Sequence, residues 1–452
     1  MRRVLVANRG EIAVRIVRAC FDEGLESVVA VSDADRESLA ALLADRAVVI
    51  GPAAAAESYL SVDRIVAAAR AAECEAIHPG YGFLSERPEL AEACEEHGLV
   101  FVGPPAAVMR RSGDKLRARE VARSVGIPTG GGSGAVESPS DVVAHADAQG
   151  YPLMLKASAG GGGRGMAIIE GPDDVERHFA RARAEAQQAF GDGTLYAEPY
   201  IRRARHVEAQ ILGDTHGNVV HLGERDCSCQ RRYQKLVEEA PASGLPPETS
   251  AAIREAAVKL GRALEYVGAG TAEFLVDVTT GSFIFLEVNA RVQVEHPVTE
   301  AVTGVDIVRE QLRIAAGRPL SFSQDDVTFD GHAIECRINA EDPFHGFMPS
   351  PGTLAEWLPP AGAGIRVDTH CRRGAQIPPY YDSLAAKLIV HADDRVQAIA
   401  LARRALAHFK VEGIATTIPL HQAILADETF AAGAATTRWL EDDFMPRWEA
   451  AG

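Results

Sequence analysis

The stretch TAEFLVDVTTGSFIFLEVNARVQVEHPVTE (271–300) contains two apolar, β-prone runs joined by the turn TTG (279–281). A three-residue loop with Gly281 in the left-handed conformation would place Glu273 and Glu287 opposite each other, whereas a two-residue turn would place them on opposite faces. Two unpaired carboxylates this close would repel, and a shared Mg²⁺ removes the repulsion. The hairpin therefore predicts a magnesium site, with two solvated surface acids as the alternative.

Beyond the hairpin, polar residues alternate with apolar ones. The polar members are Glu287, Asn289, Arg291, Gln293 and Glu295. In an extended strand all five would lie on one face. A straight strand would separate Glu287 from Glu295 by about 26 Å, at roughly 3.3 Å per residue. Because residues so far apart cannot contact one substrate, we expect the chain to bend after Asn289.

The motif KASAGGGGRGM (156–166) places a glycine run between two apolar β-type segments. Glycines let backbone N–H groups approach a ligand closely, and successive N–H groups can cradle phosphate oxygens. The alternative is a flexible surface linker. Lys156, directly before the run, and Lys115, at the start of the preceding helix, could neutralise phosphate charge. Since the chain lacks G-x-x-x-x-G-K-[ST], a Walker-type P-loop is excluded.

Composition limits the classes of partner. The chain has 452 residues and a net charge of −17, so we expect neither nucleic acid nor membrane to be a partner. No run approaches the roughly 18 apolar residues of a membrane span, and the opening segment lacks a signal sequence, so we expect a cytoplasmic protein. The chain has seven scattered cysteines, which favour reduced, buried thiols over disulfides. A zinc site at Cys227 and Cys229 is also disfavoured, because no second close pair would complete the four ligands.

Strands and helices alternate over roughly the first 110 residues, which predicts a parallel sheet covered by helices on both faces. After Asp114 the pattern changes to a helix, a small β-rich unit around the glycine run, and a mixture of hairpins and helices. The fold class is therefore α/β and α+β.

Nine ordered segments closely resemble those of the biotin carboxylases of the ATP-grasp superfamily, and the match runs from residue 2 to about 445. They are ANRGEIAVRI, HPGYGFLSE, GDK, KASAGGGGRGM, RHVEAQ, ERDCSCQRRYQK, EVNARVQVEHPVTE, ECRINAEDP and PPYYDS. The resemblance implies a doubly wound N-terminal domain (1–112), an ATP-grasp domain (113–327) with a small mobile lid at about 131–203, and a C-terminal biotin carboxylase domain (328–445).

The resemblance also implies roles for individual residues. ATP would be bound by Lys115, Lys156, Gly161, Gly162, Gly163, Arg164, Gly165, Met166, Glu198, His206, Gln230, Leu275 and Glu287. Mg²⁺ or Mn²⁺ would be held by Glu273 and Glu287, with Asn289 supporting the metal site. Lys235, Arg291 and Val294 would bind bicarbonate, Glu295 would be the general base, Arg337 would stabilise the biotin enolate, and Tyr81 and Gly82 would contact biotin.

The implied reaction is the first half-reaction of a multisubunit acyl-CoA carboxylase, of the kind that serves fatty acid biosynthesis. MgATP and bicarbonate would carboxylate biotin, through carboxyphosphate, on a separate biotin carboxyl carrier protein, and a carboxyltransferase subunit would complete the cycle. Acetyl-CoA and propionyl-CoA are the expected acceptors, while another acyl-CoA, pyruvate and urea stay open. The implied assembly is a homodimer through positions such as Arg18, Asp22 and Arg366, although Ala363 replaces an aromatic residue there.

Three positions depart from the family near the nucleotide site, namely Tyr233, Thr437 and Arg438. Two alternative functions also stay open. An ATP-grasp ligase that joins a carboxylate to an amine would use the same glycine run and acids, but it has no evident task for Glu295, Arg291 and Arg337. A catalytically dead interaction subunit would be expected to have lost Lys235, Glu295 or Arg337, and all three are present.

Overall fold

The N-terminal part of the chain forms a parallel sheet. The computed structural model describes residues 1–159 and 165–451. The first strands are β1 (Arg3–Val6), β2 (Glu26–Ser32), β3 (Arg46–Gly51), β4 (Ala76–His78) and β5 (Val100–Phe101). They run parallel in the order β3-β2-β1-β4-β5. The first helices are α1 (Gly10–Asp22), α2 (Leu39–Leu43), α3 (Val62–Ala71), α4 (Pro88–Glu96) and α5 (Ala106–Gly113).

Strand β1 is buried on both faces of this sheet. Val4 and Val6 belong to one apolar cluster with Ile16 of α1, whereas Leu5 belongs to a second cluster with Ile65 of α3. Helices therefore cover both faces, which explains why β1 reads as a continuous apolar run instead of an alternating one. The predicted doubly wound sheet is confirmed.

A smaller antiparallel sheet follows. Its region contains α6 (Lys115–Ser124), β6 (Ala135–Val136), α7 (Pro139–Gln149), β7 (Leu153–Ala157), β8 (Ala167–Ile169), α8 (Val175–Phe190) and β9 (Leu195–Pro199). The strand order is β6-β9-β7-β8, and α7 and α8 share one apolar core with it. The glycine run joins β7 to β8, and the predicted ATP-binding residues Gly161, Gly162, Gly163 and Arg164 lie outside the described residues.

The largest sheet has eight strands and connects the second and third parts of the chain. The remaining strands are β10 (Ala204–Gly213), β11 (Val219–Arg231), β12 (Gln234–Ala240), β13 (Gly268–Asp277), β14 (Phe283–Asn289), β15 (His332–Asn339), β16 (Glu341–Asp342), β17 (Met348–Pro349), β18 (Gly352–Thr353), β19 (Glu356–Leu358), β20 (Ile365–Thr369), β21 (Gln376–Ile377), β22 (Leu384–Ala392) and β23 (Lys410–Glu412). The large sheet is antiparallel in the order β14-β13-β10-β11-β12-β15-β22-β20.

Helices cover both faces of the large sheet. They are α9 (Pro247–Ala263), α10 (His296–Thr303), α11 (Ile307–Ala315), α12 (Arg395–His408), α13 (Ile418–Ile424), α14 (Glu428–Ala431), a π-helix (Leu440–Phe444) and α15 (Met445–Ala451). Val298 and Val302 of α10 pack on Ile389 of β22, while Ala402 and Leu406 of α12 belong to the separate core that contains Cys336. Within the described ranges, no helix combines the length and apolar character needed to cross a membrane. All seven cysteines are unpaired, buried thiols.

The β13–β14 hairpin has the predicted pairing but not the predicted loop. Glu273 and Glu287 are direct Cα partners, and Gly281 is left-handed with φ of 72°. The loop contains the four residues 278–281, because Asp277 donates its N–H to the carbonyl of Ser282. A bulge at Leu286 supplies the extra residue that returns Glu287 to its position opposite Glu273. The prediction of a three-residue loop was therefore wrong, while the pairing it served is correct.

The chain bends after Asn289, as predicted from the separation that a straight strand would give Glu287 and Glu295. Strand β14 ends at Asn289, and α10 begins at His296 with Glu295 as its N-cap residue. The alternating polar residues from Arg291 onward therefore do not continue a strand. The bend brings Glu295 back toward the hairpin acids.

Candidate active site

A cavity of about 810 Å³ opens between the small sheet, the large sheet and the N-terminal part. Of the residues predicted for the site, its walls include Tyr81, Lys115, Lys156, Met166, Glu198, His206, Gln230, Lys235, Glu273, Leu275, Glu287, Asn289, Arg291, Val294, Glu295 and Arg337. Two of the predicted residues that the structure describes lie elsewhere. Gly82 lines a neighbouring cavity of about 100 Å³ that shares Tyr81. Gly165 is buried against Ala157 and Ala186.

The hairpin acids lie at one end of the cavity, and each is paired with a cation. Lys115 lies 2.7 Å from Glu287, whose side chain is 27% exposed. Glu273 is more enclosed and accepts hydrogen bonds from Lys235 at 3.0 Å and Asn289 at 2.8 Å, while His206 lies 3.1 Å away. Burial alone would raise the pKa of Glu273, but Lys235 and His206 outweigh it and hold that pKa well below its usual value.

A third carboxylate, on the sheet that carries the glycine run, is held by two cations. Glu198 of β9 is buried and accepts hydrogen bonds from Lys156 of β7 and Arg119 of α6. Burial opposes ionisation, yet Lys156 and Arg119 lower the pKa of Glu198. Lys156 therefore lies inside the cavity as a paired cation and is not a solvated surface lysine.

Glu295 is the centre of the other end of the cavity. Its Oε1 accepts a hydrogen bond from Lys235 at 2.6 Å, and its Oε2 accepts one from Arg337 at 2.9 Å. Burial alone would raise the pKa of Glu295, but Lys235, Arg337 and Arg225 hold it far below its ordinary value. Glu295 is therefore ionised at neutral pH and aligned by two donors from different strands.

Lys235 joins this end to the hairpin acids. Its ammonium donates to Glu208 at 2.5 Å, to Glu273 at 3.0 Å and to Glu295 at 2.6 Å. Burial would lower the pKa of Lys235, but these three carboxylates hold it well above the usual value. The three N–H donors of the Lys235 ammonium are thus each directed at a different carboxylate.

Arg291 has a different set of partners. Its Nε lies 3.0 Å from Glu86, and one Nη donates to the Asn289 side chain at 3.0 Å. Glu86 also accepts from the backbone N–H of Ala290 at 3.1 Å. Since the Asn289 amide nitrogen donates to Glu273 and its oxygen accepts from Arg291, Asn289 connects the acid hairpin to the arginine.

Several site residues were not predicted from the sequence. Glu208 and Arg225 are fully buried and paired at 2.6 Å, and Arg225 also donates to Gln210, Thr271, Gln293 and Thr299. A signal was available for Glu208, because His206, Glu208 and Gln210 alternate with apolar residues as the polar residues after Glu287 do. No comparable signal marks Lys387, which donates to the Val294 carbonyl at 2.7 Å from the distant strand β22.

The three unusual residues near the nucleotide site also line the cavity. Tyr233, Thr437 and Arg438 lie on its wall with Tyr200. Tyr233 is left-handed, with φ of 63°, in the tight turn between β11 and β12. Arg438 is held by Glu441 at 3.0 Å and Asp442 at 2.6 Å, so its charge is already balanced.

Comparison with known proteins decides the family. Three family models match the chain: "Biotin carboxylase, N-terminal domain" over 1–109, "Carbamoyl-phosphate synthase L chain, ATP binding domain" over 114–323, and "Biotin carboxylase C-terminal domain" over 335–442. A biotin carboxylase of Nostoc sp. is 50% identical over 441 residues, covering 97% of this chain and 98% of the relative. The chain belongs to the biotin carboxylase family.

Solved structures of this family agree in fold. A biotin carboxylase from Campylobacter jejuni, in complex with β,γ-ATP, has a TM-score of 0.95 at 44% identity and covers 97% and 98% of the two chains. The biotin carboxylase domain dimer of 2-oxoglutarate carboxylase from Hydrogenobacter thermophilus, in complex with MgADP, ADP and bicarbonate, has a TM-score of 0.94 at 48% identity, covering 98% and 97%. The predicted family, fold class and ATP-dependent ligase activity are confirmed, and the two alternative functions are not favoured.

Proposed function

We propose that this chain carboxylates biotin on a separate carrier protein, using MgATP and bicarbonate, and that the predicted site residues carry out this reaction. One observation carries the proposal. Glu295 is buried and held between Lys235 and Arg337, in the same cavity as the cross-strand acids Glu273 and Glu287. The cavity thus combines a base, anion-binding cations and a metal-binding pair.

The hairpin acids fit a magnesium ion. Glu273 and Glu287 face one cavity from adjacent strands, and Mg²⁺ prefers such carboxylate oxygens together with substrate phosphates. When bound, the metal would neutralise charge on the phosphate oxygens of ATP. Asn289 would hold Glu273 and Arg291 in place through the hydrogen bonds that it makes to both side chains.

Bicarbonate would bind beside Glu295. Lys235 and Arg291 line the cavity together with Val294 and Glu295 and would supply the positive charge. Glu295 would remove the proton of bicarbonate while a bicarbonate oxygen attacks the γ-phosphorus of ATP. Because the low pKa of Glu295 makes it a weak base, the forming O–P bond must drive the proton transfer.

The second step would take place at Arg337. Carboxyphosphate would break down to CO₂ and phosphate, and the phosphate would take the proton from the ureido nitrogen of biotin. The Arg337 guanidinium, on the cavity wall, would stabilise the resulting enolate oxygen until the nitrogen attacks CO₂. Tyr81 and Gly82, at the junction of the two cavities, are the proposed contacts of the biotin ring.

We propose a carrier protein and a carboxyltransferase as the partner polypeptides, and acetyl-CoA or propionyl-CoA as the acceptor. A homodimer through the exposed surface of α1 is also proposed, because Phe21 is 83% exposed there, beside the exposed Arg18 and Asp22. A second copy would cover that apolar side chain. Light scattering at micromolar concentration should give the mass of a dimer, and a monomer alone would reject this assembly.

The decisive experiment measures ADP release from purified protein with MgATP and bicarbonate. Free biotin should stimulate ADP release, because only biotin offers a productive acceptor for the CO₂. ADP release that is equal with and without biotin would contradict the proposed reaction. Isolation of the chain from its host should also recover a biotinylated protein, whose carboxyltransferase partner would then identify the acceptor.

A further inference from the structure

Two buried glutamates lie directly behind Arg337. Strands β12 and β15 pair so that Glu238 stands opposite Glu335, and both residues have 0% exposure. One Glu238 oxygen accepts a hydrogen bond from Arg337 Nε at 2.5 Å. The other Glu238 oxygen and both Glu335 oxygens accept no hydrogen bond from the part of the chain that the structure describes. Direct cross-strand partners have Cβ atoms about 4.5–5.5 Å apart, so these carboxyl groups are neighbours.

The cations around this pair are already engaged. Arg337 is shared between Glu238 and Glu295, and Lys387, from the next strand, pairs with Glu11 at 3.1 Å and donates to the Val294 carbonyl. Lys235 serves three other carboxylates. These three cations and Glu295 are the charged groups that face the pair. Lys387 is therefore near enough to act on Glu335, but within the described part of the chain no cation donates a hydrogen bond to it.

Two neighbouring carboxylates that are fully buried repel each other when both are ionised, so a single negative charge on the pair is favoured. Burial raises the pKa of Glu335 well above its ordinary value, and burial also raises that of Glu238. Since Glu238 receives the Arg337 donor, the negative charge belongs on Glu238 and the proton on Glu335. A neutral Glu335 can donate to the Glu238 oxygen that otherwise has no partner.

We propose that Glu238 and Glu335 share a single proton and are positioning residues for Arg337. With one proton the pair presents one negative charge to the guanidinium, opposite the charge of Glu295 on the other side. When Glu295 takes up the proton of bicarbonate, the remaining charge on the pair keeps Arg337 on the cavity wall, where the biotin enolate forms. Loss of the shared proton would add a second charge behind Arg337 and weaken its attraction for the enolate.

This consequence for catalysis rests on the proposed function, whereas the shared proton does not. Infrared difference spectroscopy of the full chain at neutral pH tests the proton directly. The spectrum should contain the carbonyl stretch of a neutral, buried carboxylic acid that disappears in Glu335→Gln. Glu335→Met is a second variant of similar size, for use if the buried amide of Glu335→Gln prevents folding. Its spectrum should also lack the band. An unchanged band in both variants would overturn the shared proton.

The pH dependence of biotin-stimulated ADP release tests the link to Arg337. In Glu335→Gln the neutral donor is permanent, so the loss of kcat/KM for biotin at alkaline pH should move upward by about one pH unit or more. Glu238→Gln removes the anion that holds Arg337 and should lower kcat/KM for biotin roughly 10- to 100-fold. Glu239→Gln is the matched control, because Glu239 is also buried but is bound by Arg395 and His332 on the opposite face.

Glu239→Gln should lose kcat/KM for biotin at the same alkaline pH as the wild-type chain. An alkaline limb that coincides in wild type and Glu335→Gln would overturn the role at Arg337, even if the infrared band confirmed the proton. If biotin stimulated neither protein, the proposed function would fail, while the infrared result would still stand on its own. The two failures are therefore distinguishable.

Discussion

The two ends of the active-site cavity balance their charges differently. At the hairpin end, Glu287 pairs with Lys115 in a contact that is partly exposed, with side-chain exposures of 27% and 14%. The base end is the group of charges around Glu295, which is 2% exposed and is held by Lys235 and Arg337. The side chain of Lys387 is 0% exposed and donates to the adjacent Val294 carbonyl. The Lys115–Glu287 contact is therefore one that a metal and a nucleotide can replace at little cost, whereas Glu273 is enclosed and shares Lys235 with Glu295. The base end is assembled before substrate arrives.

The largest effect is expected from Glu295→Gln, which keeps the shape of the base end and removes its charge. We expect kcat to fall roughly 10²- to 10⁴-fold, because the amide cannot accept the bicarbonate proton. Nucleotide binding, measured by calorimetry with MgADP, should change little because Glu295 is paired with Lys235 and Arg337 and not with Lys115 or Glu287. Loss of nucleotide binding would show that the two ends are not independent and that Glu295 has a different role.

Lys387→Met tests how strongly the base end depends on a residue far away in sequence. The substitution leaves Glu11 buried without its ammonium and frees the Val294 carbonyl, so the free energy of unfolding should fall by about 3–5 kcal/mol. Urea denaturation measures the change. Lys259→Met is the control, since Lys259 pairs with Glu255 on the surface and its loss should cost at most about 1 kcal/mol. Equal effects in the two variants would contradict the special role of Lys387.

The sequence predicts the hairpin end better than the base end. Glu273 and Glu287 lie in one hairpin, so the sequence could bring them together, but the pairing was reached with a loop one residue too short, and the bulge at Leu286 that restores it has no local signal. The alternation after Glu287 also located Arg291 and Glu295 and required the bend at Asn289. Only the family resemblance assigned Arg337 its role, because it reaches Glu295 from a strand that follows 42 residues later.

Lys387 and Glu335 could not be predicted because their environments are created by long-range strand pairing. Lys387 lies in an apolar run, and its importance appears only when β22 pairs with β15 beneath the Val294–Glu295 turn. Glu335 is one of three acids in ECRINAEDP, and only its position opposite Glu238 makes it unusual. Sequence periodicity reports which face a residue occupies, but it does not report the charges that another strand places beside it.

The stability of the base end should also depend on pH in a particular direction. Because burial raises the pKa of Glu335, the folded chain binds its proton more tightly than the unfolded chain does. Glu335 therefore contributes a term that reduces stability as pH rises above its unfolded pKa, with a slope of about 1.4 kcal/mol per pH unit until the folded pKa is reached. Glu335→Gln should remove this slope in urea denaturation between pH 5 and about 7. A variant with the wild-type slope would contradict a raised pKa.

The smallest effect on stability is expected at the hairpin end. Lys115→Met leaves Glu287 unpaired, but that carboxylate is partly exposed, so the free energy of unfolding should change by at most about 1 kcal/mol. Catalysis should respond differently, because Lys115 would leave Glu287 for phosphate when MgATP binds. We expect KM for ATP to rise roughly tenfold with a smaller change in kcat, since a lost charged hydrogen bond is worth about 1.5–3 kcal/mol. If Lys115→Met destabilised the chain as much as Lys387→Met does, the hairpin end would be as preassembled as the base end, and its lysines would not be free to exchange carboxylate for phosphate.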